Sequence, residues 1–314
     1  MNNAVLVAVG GNSLIRAGQR GTIDEQVENA RLTASHIADI AALGYGLVIT
    51  HGNGPQVGSQ LLRSEAGSSQ TYSQPLDVCV AATQGELGYI LQNALRSELR
   101  HRGIRMPVAA VITQVRVERL DQAFDNPTKP VGPFYHKEDA EEKRDKLGWH
   151  ISEDAARGYR RVVPSPRPVE IMEIEAIRRC VLGDIIVIAV GGGGIPIVAE
   201  NGRMTGVEAV IDKDMSSALL AAELGLKTMI ISTAVDYVYL NYRSAERAPI
   251  REMTADEAAA YLRDDQFPAG SMRPKIESAV EFIGRGGDEV IITDPPHLVE
   301  AMKGTCGTHI RKGD

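Results

Sequence analysis

A doubly wound α/β sandwich carrying one inserted, mobile subdomain is the fold predicted by this sequence of 314 residues. Six short apolar runs rich in β-branched residues are continuous rather than alternating, as in strands covered on both faces of a largely parallel sheet. Helical patterns lie between them, and strand alternating with helix builds layers of this kind. One long, charged, proline-rich stretch breaks the alternation. A stretch of that length inside a compact domain is usually a functional lid or a small subdomain.

The strand runs are 4–9 (AVLVAV), 46–50 (GLVIT), 107–112 (PVAAVI), 185–190 (IIVIAV), 228–232 (TMIIS) and 289–293 (EVIIT). Thr22 and Glu25 form a capping box that opens a helix to about Leu43. Its apolar stripe is Val27, Ala34, Ile37 and Ile40 or Ala41, and Gly44 stops it. A second helix over 84–102 turns Leu87, Ile90, Leu91, Ala94 and Leu95 inward and ends before Gly103. Thr254 and Glu257 make another capping box, and 275–283 carries Ile276, Ala279, Val280 and Ile283 at helical spacing. The interrupting stretch runs from Arg116 to Pro168 and holds Pro127, Pro130, Pro133, Pro164, Pro166, Pro168 and the only tryptophan, Trp149.

With 43% hydrophobic and 24% charged residues the composition is that of a soluble globular protein, and apolar runs such as 185–190 are too short to cross a bilayer. No membrane partner is expected. Lys plus Arg number 34 against 41 Asp plus Glu, a formal charge of −7 that argues against a nucleic-acid partner. Cys79, Cys180 and Cys306 show no CxxC and no zinc-ligand spacing, so they read as reduced thiols. The start, MNNAVLVAVGG, lacks the basic region of a secretory signal, which leaves the cytoplasm as the expected location.

In an open parallel sheet the ligand crevice lies beyond the carboxyl ends of the strands. Three strand exits are glycine-rich: Gly10-Gly11-Asn12-Ser13, His51-Gly52-Asn53-Gly54-Pro55 and Gly191-Gly192-Gly193-Gly194-Ile195-Pro196. Glycine lets backbone approach an anion closely, and a helix beginning after the loop aims free N–H groups at that anion. Pro55 suits a first helical position. Any one such loop is as readily a plain tight turn, but three at strand exits favour an anion cradle. There is no Gly-Lys dipeptide and hence no P-loop, and 52–58 (GNGPQVG) has Val57 where a dinucleotide fingerprint needs glycine. Among charged groups, Lys129 sits between Pro127 and Pro130, Asp212-Lys213-Asp214 opens a helix, and Lys275 follows Gly270-Ser271-Met272-Arg273-Pro274. Taken singly, each lysine is more often a solvated surface residue, and the two aspartates serve equally as N-terminal helix charges.

Together these segments resemble the carbamate kinases of the amino acid kinase superfamily. The resemblance is carried by VAVGGNSL (7–14), THGNGPQVG (50–58), PLDVCVAATQGELGYILQNAL (75–95), NPTKPVGPF (126–134), EDAARGYRRVVPSPRP (153–168), VGGGGIPIV (190–198), GVEAVIDKD (206–214), TAVDYV (233–238) and PAGSMRPKI (268–276), and it extends to GTHI (307–310). It implies an open αβα sandwich with a central, mainly parallel eight-stranded sheet and a protruding lid subdomain within 116–168. It also implies an N-lobe, 1–215, for carbamate or carbamoyl phosphate and for homodimer contacts, and a C-lobe, 216–314, for nucleotide. By the same resemblance the catalytic lysines fall on Lys129, Lys213 and Lys275, with Asp212 and Asp214 as organising aspartates. Gly10, Gly11, Asn12, Gly52, Asn53 and Gly54 fall on the substrate cradle, and Asp236, Tyr237, Val238, Met272 and Pro274 on the nucleotide region.

The activity so implied is reversible phosphoryl transfer between ATP and carbamate, giving ADP and carbamoyl phosphate, and used to make ATP. Carbamate is already an anionic nucleophile and needs no general base, which reduces the chemistry to alignment and charge. Two like unit charges at ~4 Å repel by ~4 kcal/mol at an effective dielectric of ~20, so a single cation does not suffice. On this reading Lys129 descends from the lid onto the transferring phosphoryl, Lys275 binds nucleotide phosphates and Lys213 offsets charge on the phosphates opposite. Asp214 orients the lysines, and glycine N–H groups complete the cradle. Mg2+ enters with ATP or ADP, held mostly by phosphate oxygens and water with help from an aspartate, and no protein metal site is expected. The rival readings are another acyl-phosphate-forming member of the superfamily and a non-catalytic sensor of nucleotide or carbamoyl phosphate.

Overall fold

The computed structural model describes residues 3–10, 13–16, 18–154, 158–242, 244, 246–267 and 270–313. From the N-terminus come β1 (Ala4–Val9), α1 (Ile23–Ala42), β2 (Gly46–His51), α2 (Gly54–Gly67), α3 (Leu76–His101), β3 (Val108–Ala110) and β4 (Gln114–Val117). Next are β5 (Lys129–Tyr135), α4 (Lys137–Leu147), β6 (His150–Asp154), β7 (Gly158–Val163), β8 (Pro168–Ile171), α5 (Ile174–Leu182), β9 (Ile186–Ile188), β10 (Ile195–Glu200) and β11 (Arg203–Gly206). The C-terminal part holds α6 (Lys213–Glu223), β12 (Thr228–Ser232), β13 (Val238–Leu240), β14 (Ala248–Ile250), β15 (Glu252–Thr254), α7 (Ala255–Arg263), α8 (Met272–Gly284), β16 (Glu289–Thr293), α9 (Leu298–Met302) and β17 (Thr308–Arg311).

All six continuous apolar runs became strands of one eight-stranded sheet, ordered β15-β17-β16-β12-β1-β2-β9-β3. Neighbours are parallel except β16 with β17. The reason the runs are continuous is visible in β1. Val5, Val7 and Val9 join a core with α1, α3 and α9, while Leu6 and Ala8 join the opposite core with α5, α6 and α8. Alternate residues therefore bury against different helical layers, and the result is the expected open αβα sandwich. The pairing of β1 with β12 joins the strands that precede residue 215 to those that follow it, and residue 215 itself lies inside α6.

Both capping boxes formed, at Thr22/Glu25 and at Thr254/Glu257. The helix expected over 84–102 begins earlier, at Leu76, because Leu76, Cys79 and Val80 bury in a third apolar cluster with Val57 and Val131. Two strands of the eight-stranded sheet had no sequence signal. β15 and β17 (EMT and THIR) are short and of mixed polarity.

The proline-rich insertion is ordered as a three-stranded antiparallel sheet, β5-β7-β6, with α4 packed on it. Its expected ends pair with each other: Val117 on β4 lies opposite Pro168 on β8, inside a second sheet, β11-β10-β4-β8. The insertion leans on the body through Gly132, which approaches Gly58 of α2 so closely that a Cβ at residue 58 would sit 3.3 Å from the Gly132 Cα. Ion pairs from Lys143 to Glu65 and from Arg161 Nη2 to Glu208 Oε2, the latter at 2.7 Å, add to that contact. No helix among the described residues is long and apolar enough to cross a membrane.

The Thr22 cap offers a check on the local reading. Thr22→Ala removes the acceptor for the Glu25 N–H and should lower stability by about 1 kcal/mol, seen as a lower urea midpoint with an unchanged slope.

Candidate active site

The site is assembled around the start of α6. Asp212 is the N-cap of that helix, and its Oδ1 accepts from Asp214 N at 2.9 Å and from Met215 N at 3.4 Å. Its other oxygen accepts from Lys129 Nζ, on β5 of the insertion, at 2.9 Å. Asp214 is buried, with Lys213 Nζ on Oδ1 at 2.8 Å and Lys275 Nζ, from α8, on Oδ2 at 3.1 Å. Lys275 also donates to Ser271 O at 3.3 Å. Three lysines from separate segments thus converge on two carboxylates separated by one residue. Burial pushes the Asp214 carboxyl upward, but the Lys213 and Lys275 ammonium groups more than offset this and hold it at about 2. Three positive charges against two negative leave a formal surplus of one.

The glycine loops leave three adjacent strands, β1, β2 and β9. A Cβ at Gly10 would lie 3.1 Å from Ser232 O, which records how closely the exits of β1 and β12 approach. Gly11 and Asn12 lie outside the described residues. Gly52 N donates to Val9 O at 3.3 Å, and Gly54 opens α2, with Pro55 in its first turn. Asn53 occupies the N-cap position but points its side chain elsewhere, donating Nδ2 to Thr83 Oγ1 at 2.8 Å.

The third loop departs from expectation. Gly191–Gly193 form a 3-10 turn that runs into β10, so no helix follows to aim its N–H groups. Packing explains the glycines instead. A Cβ at Gly192 would fall 2.1 Å from Asn53 Nδ2, and one at Gly193 would fall 2.3 Å from Ile211 O. The preceding Val190, buried and β-branched, adopts φ 53° and ψ 36°. That left-handed conformation costs of order 1–3 kcal/mol and persists only where its surroundings over-determine it.

Beside Lys213 and Lys275 opens a cavity of about 620 Å3, whose described lining includes Gly10, Tyr237 and Met272. Asp236, Val238 and Pro274 support it from outside. Asp236 Oδ1 accepts from Tyr237 N at 3.0 Å and from Tyr239 OH at 2.9 Å. Val238 is buried and donates N–H to Thr308 Oγ1 at 2.8 Å, while Pro274 sits in the first turn of α8. Gly52, Asn53, Gly54 and Lys129 are not among its described lining residues, so the predicted set divides into a cavity side and a glycine-loop side. Sequence reasoning missed Tyr239, Tyr242 and Phe267 on the cavity wall. The clustering of Tyr237, Tyr239 and Tyr242 in a chain with only nine tyrosines was the available signal.

His51, which opens the second glycine-rich exit in the sequence, is the last residue of β2. It is buried, its Nδ1 lies 3.1 Å from Gly52 O, and Gly191 packs against its ring. Burial lowers its pKa to about 4, with the Lys213 charge acting in the same direction, so the imidazole is neutral near pH 7. A folded-state value below the ordinary 6.5 means that this contribution to stability is fully present above about pH 6.5 and is lost as pH falls toward 4. The loss amounts to about 3 kcal/mol by pH 4. Urea unfolding across that window should show wild type weakening more steeply than His51→Gln; parallel profiles would contradict the buried neutral ring.

With this geometry in hand, comparison with known proteins gives a consistent answer. The amino acid kinase family model matches residues 3–294. The carbamate kinase of Pyrococcus horikoshii is 49% identical over 312 residues, 99% of each chain. Carbamate kinase 2 of Enterococcus faecalis is 46% identical over 308 residues, 97% of each chain. Among solved structures, carbamate kinase from Giardia lamblia bound to AMP-PNP matches with a TM-score of 0.94 at 40% identity, covering 99% of both chains. Full-length similarity at this level, on the same sandwich with the same insertion, makes the chain a member of the amino acid kinase family and, within it, of the carbamate kinases.

Proposed function

We propose that this protein transfers a phosphoryl group reversibly between Mg-ATP and carbamate, and that its working direction is ATP formation from carbamoyl phosphate. The observation that carries the reading is the convergence of Lys129, Lys213 and Lys275 on Asp212 and Asp214. A carboxylate-like nucleophile approaching a polyphosphate meets repulsion, and preorganised cations remove it without reorganising at the moment of transfer. Lys213 and Lys275 reach the cavity and are assigned to the nucleotide phosphates. Lys129 comes from the insertion and is assigned to the phosphoryl group in flight.

The glycine loops supply N–H groups to the substrate anion, and the tyrosine-lined cavity takes the nucleoside. On this assignment residues 1–215 handle carbamate and 216–314 handle nucleotide, with the insertion as a lid. Magnesium enters as part of the nucleotide substrate. Both oxygens of Asp214 and of Asp212 are already engaged by lysines and backbone, which favours an ion held mainly by phosphate oxygens and water. A homodimer formed through the N-lobe, which rests on family resemblance, and a cytoplasmic location, which rests on the composition of the N-terminal segment, complete the reading.

Purified protein given carbamoyl phosphate and Mg-ADP should form ATP in a coupled assay, with acetyl phosphate a poor substitute; ATP from acetyl phosphate alone would overturn the substrate assignment. Lys129→Ala should lower turnover by about 10²–10³-fold with ADP affinity nearly intact. Asp214→Asn should impair turnover in a protein that remains folded, and full activity would remove Asp214 from its organising role.

A further inference from the structure

We propose that Gln84 is a positioning residue for phosphoryl transfer, fixing the 190–194 loop at its working distance from Asn53; the proposal rests on the reading above. Gln84 is buried on α3, and its side-chain amide is spent on backbone. Nε2 donates to Gly191 O at 3.0 Å and to Thr113 O at 3.1 Å, while Oε1 accepts from Thr113 N at 2.8 Å. A carboxamide alone among side chains offers two donors and an acceptor in this planar arrangement, so a hydrocarbon of similar size cannot reproduce the set.

The partners belong to the exits of β3 and β9, which are neighbours in the sheet. Thr113 extends the brace: its Oγ1 accepts from Val190 N at 3.0 Å and donates to Val111 O at 2.7 Å. Gln84 and Thr113 together therefore bracket Val190, the residue held in the left-handed region. The residue before Gln84 serves the opposite loop. Thr83 Oγ1 accepts from Asn53 Nδ2, and Asn53 lies on Gly192 with no room for a Cβ between them.

Two consecutive residues of one helix thus hold the two loops that meet at the Asn53–Gly192 contact. A brace on a rigid helix fixes that separation more tightly than contacts between loops would. Misplacement by about 1 Å, even far from the reacting atoms, lowers rates by roughly 10²-fold.

The test compares wild type, Gln84→Leu, Thr113→Val and Thr113→Ser with carbamoyl phosphate and Mg-ADP. Gln84→Leu should lower kcat/KM for carbamoyl phosphate roughly 10²-fold while ADP affinity by calorimetry stays unchanged. Hydrogen exchange across 190–195 should quicken in the same variant. Thr113→Val should share both effects and Thr113→Ser should restore wild-type behaviour, which decides the matter if Gln84→Leu fails to fold. Wild-type kcat/KM in Gln84→Leu, or a parallel loss of ADP affinity, overturns the positioning role. Wild-type protein inert toward carbamoyl phosphate instead overturns the parent reading and the role with it.

Discussion

Asp214 is a carboxylate enclosed by protein on all sides, and it remains ionised because Lys213 and Lys275 each place an ammonium group on one of its oxygens. A buried ion pair of this kind is a poor device for stability, since desolvation consumes most of the attraction, yet removing one partner is expensive because the other is stranded. Its value lies in position. Two ammonium groups at a few ångströms repel, and only a fixed counter-charge between them lets both face the same cavity. Asp212 repeats the device for Lys129, with the difference that it stands outside the helix as its N-cap. A spacing of two residues at a helix start therefore sorts three cations into two groups, a pair beside the cavity and one arriving from the insertion.

The sheet brings these segments within reach. Parallel strands place all their carboxyl ends on one edge, and the glycine loops after β1, β2 and β9 gather there. The insertion is tied to the body by polar and apolar contacts together. The Arg161–Glu208 pair is half exposed on its acid side, and such pairs contribute about 0–1 kcal/mol. The Gly58–Gly132 approach brings the insertion close, and Val131 and Val163 bury with Val57, Leu76 and Val80 of the body. Lifting the insertion would expose that apolar cluster and part Lys129 from Asp212, and taking the α6 cluster apart would strand the Asp214 charge.

Most of the fold was legible because burial on both faces writes itself into sequence as continuous apolar runs, and all six runs were strands. β15 and β17 escaped because strands of three and four residues carry too few side chains to show a pattern. The start of α3 escaped because its first turns bury in a small separate cluster with the insertion, a contact with no local signature. At the site, residues flanking glycine or proline could be singled out by backbone chemistry. Gln84 and Thr113 could not, since their roles consist of partners distant in sequence, and the packing of His51 on Gly191 was hidden for the same reason. Likewise four glycines in a row announce a special backbone, but only the structure shows that Asn53 and Ile211, rather than a following helix, demand them.

The neutral state of His51 fits the same charge logic. An imidazole with a pKa of about 4, its Nδ1 turned to a backbone carbonyl, is poorly suited to take a proton from a nucleophile that is already an anion. Were it protonated, it would add a fourth cation near Lys213 with no carboxylate assigned to it, and the surplus of one that the two aspartates leave would double. Burial keeps the ring a neutral polar spacer against Gly191 and adds no further charge beside Lys213. The histidine thus belongs to the architecture of the cradle, and the economy of the mechanism, charge placed by a helix start and chemistry left to the reactants, follows from an acceptor that needs no activation.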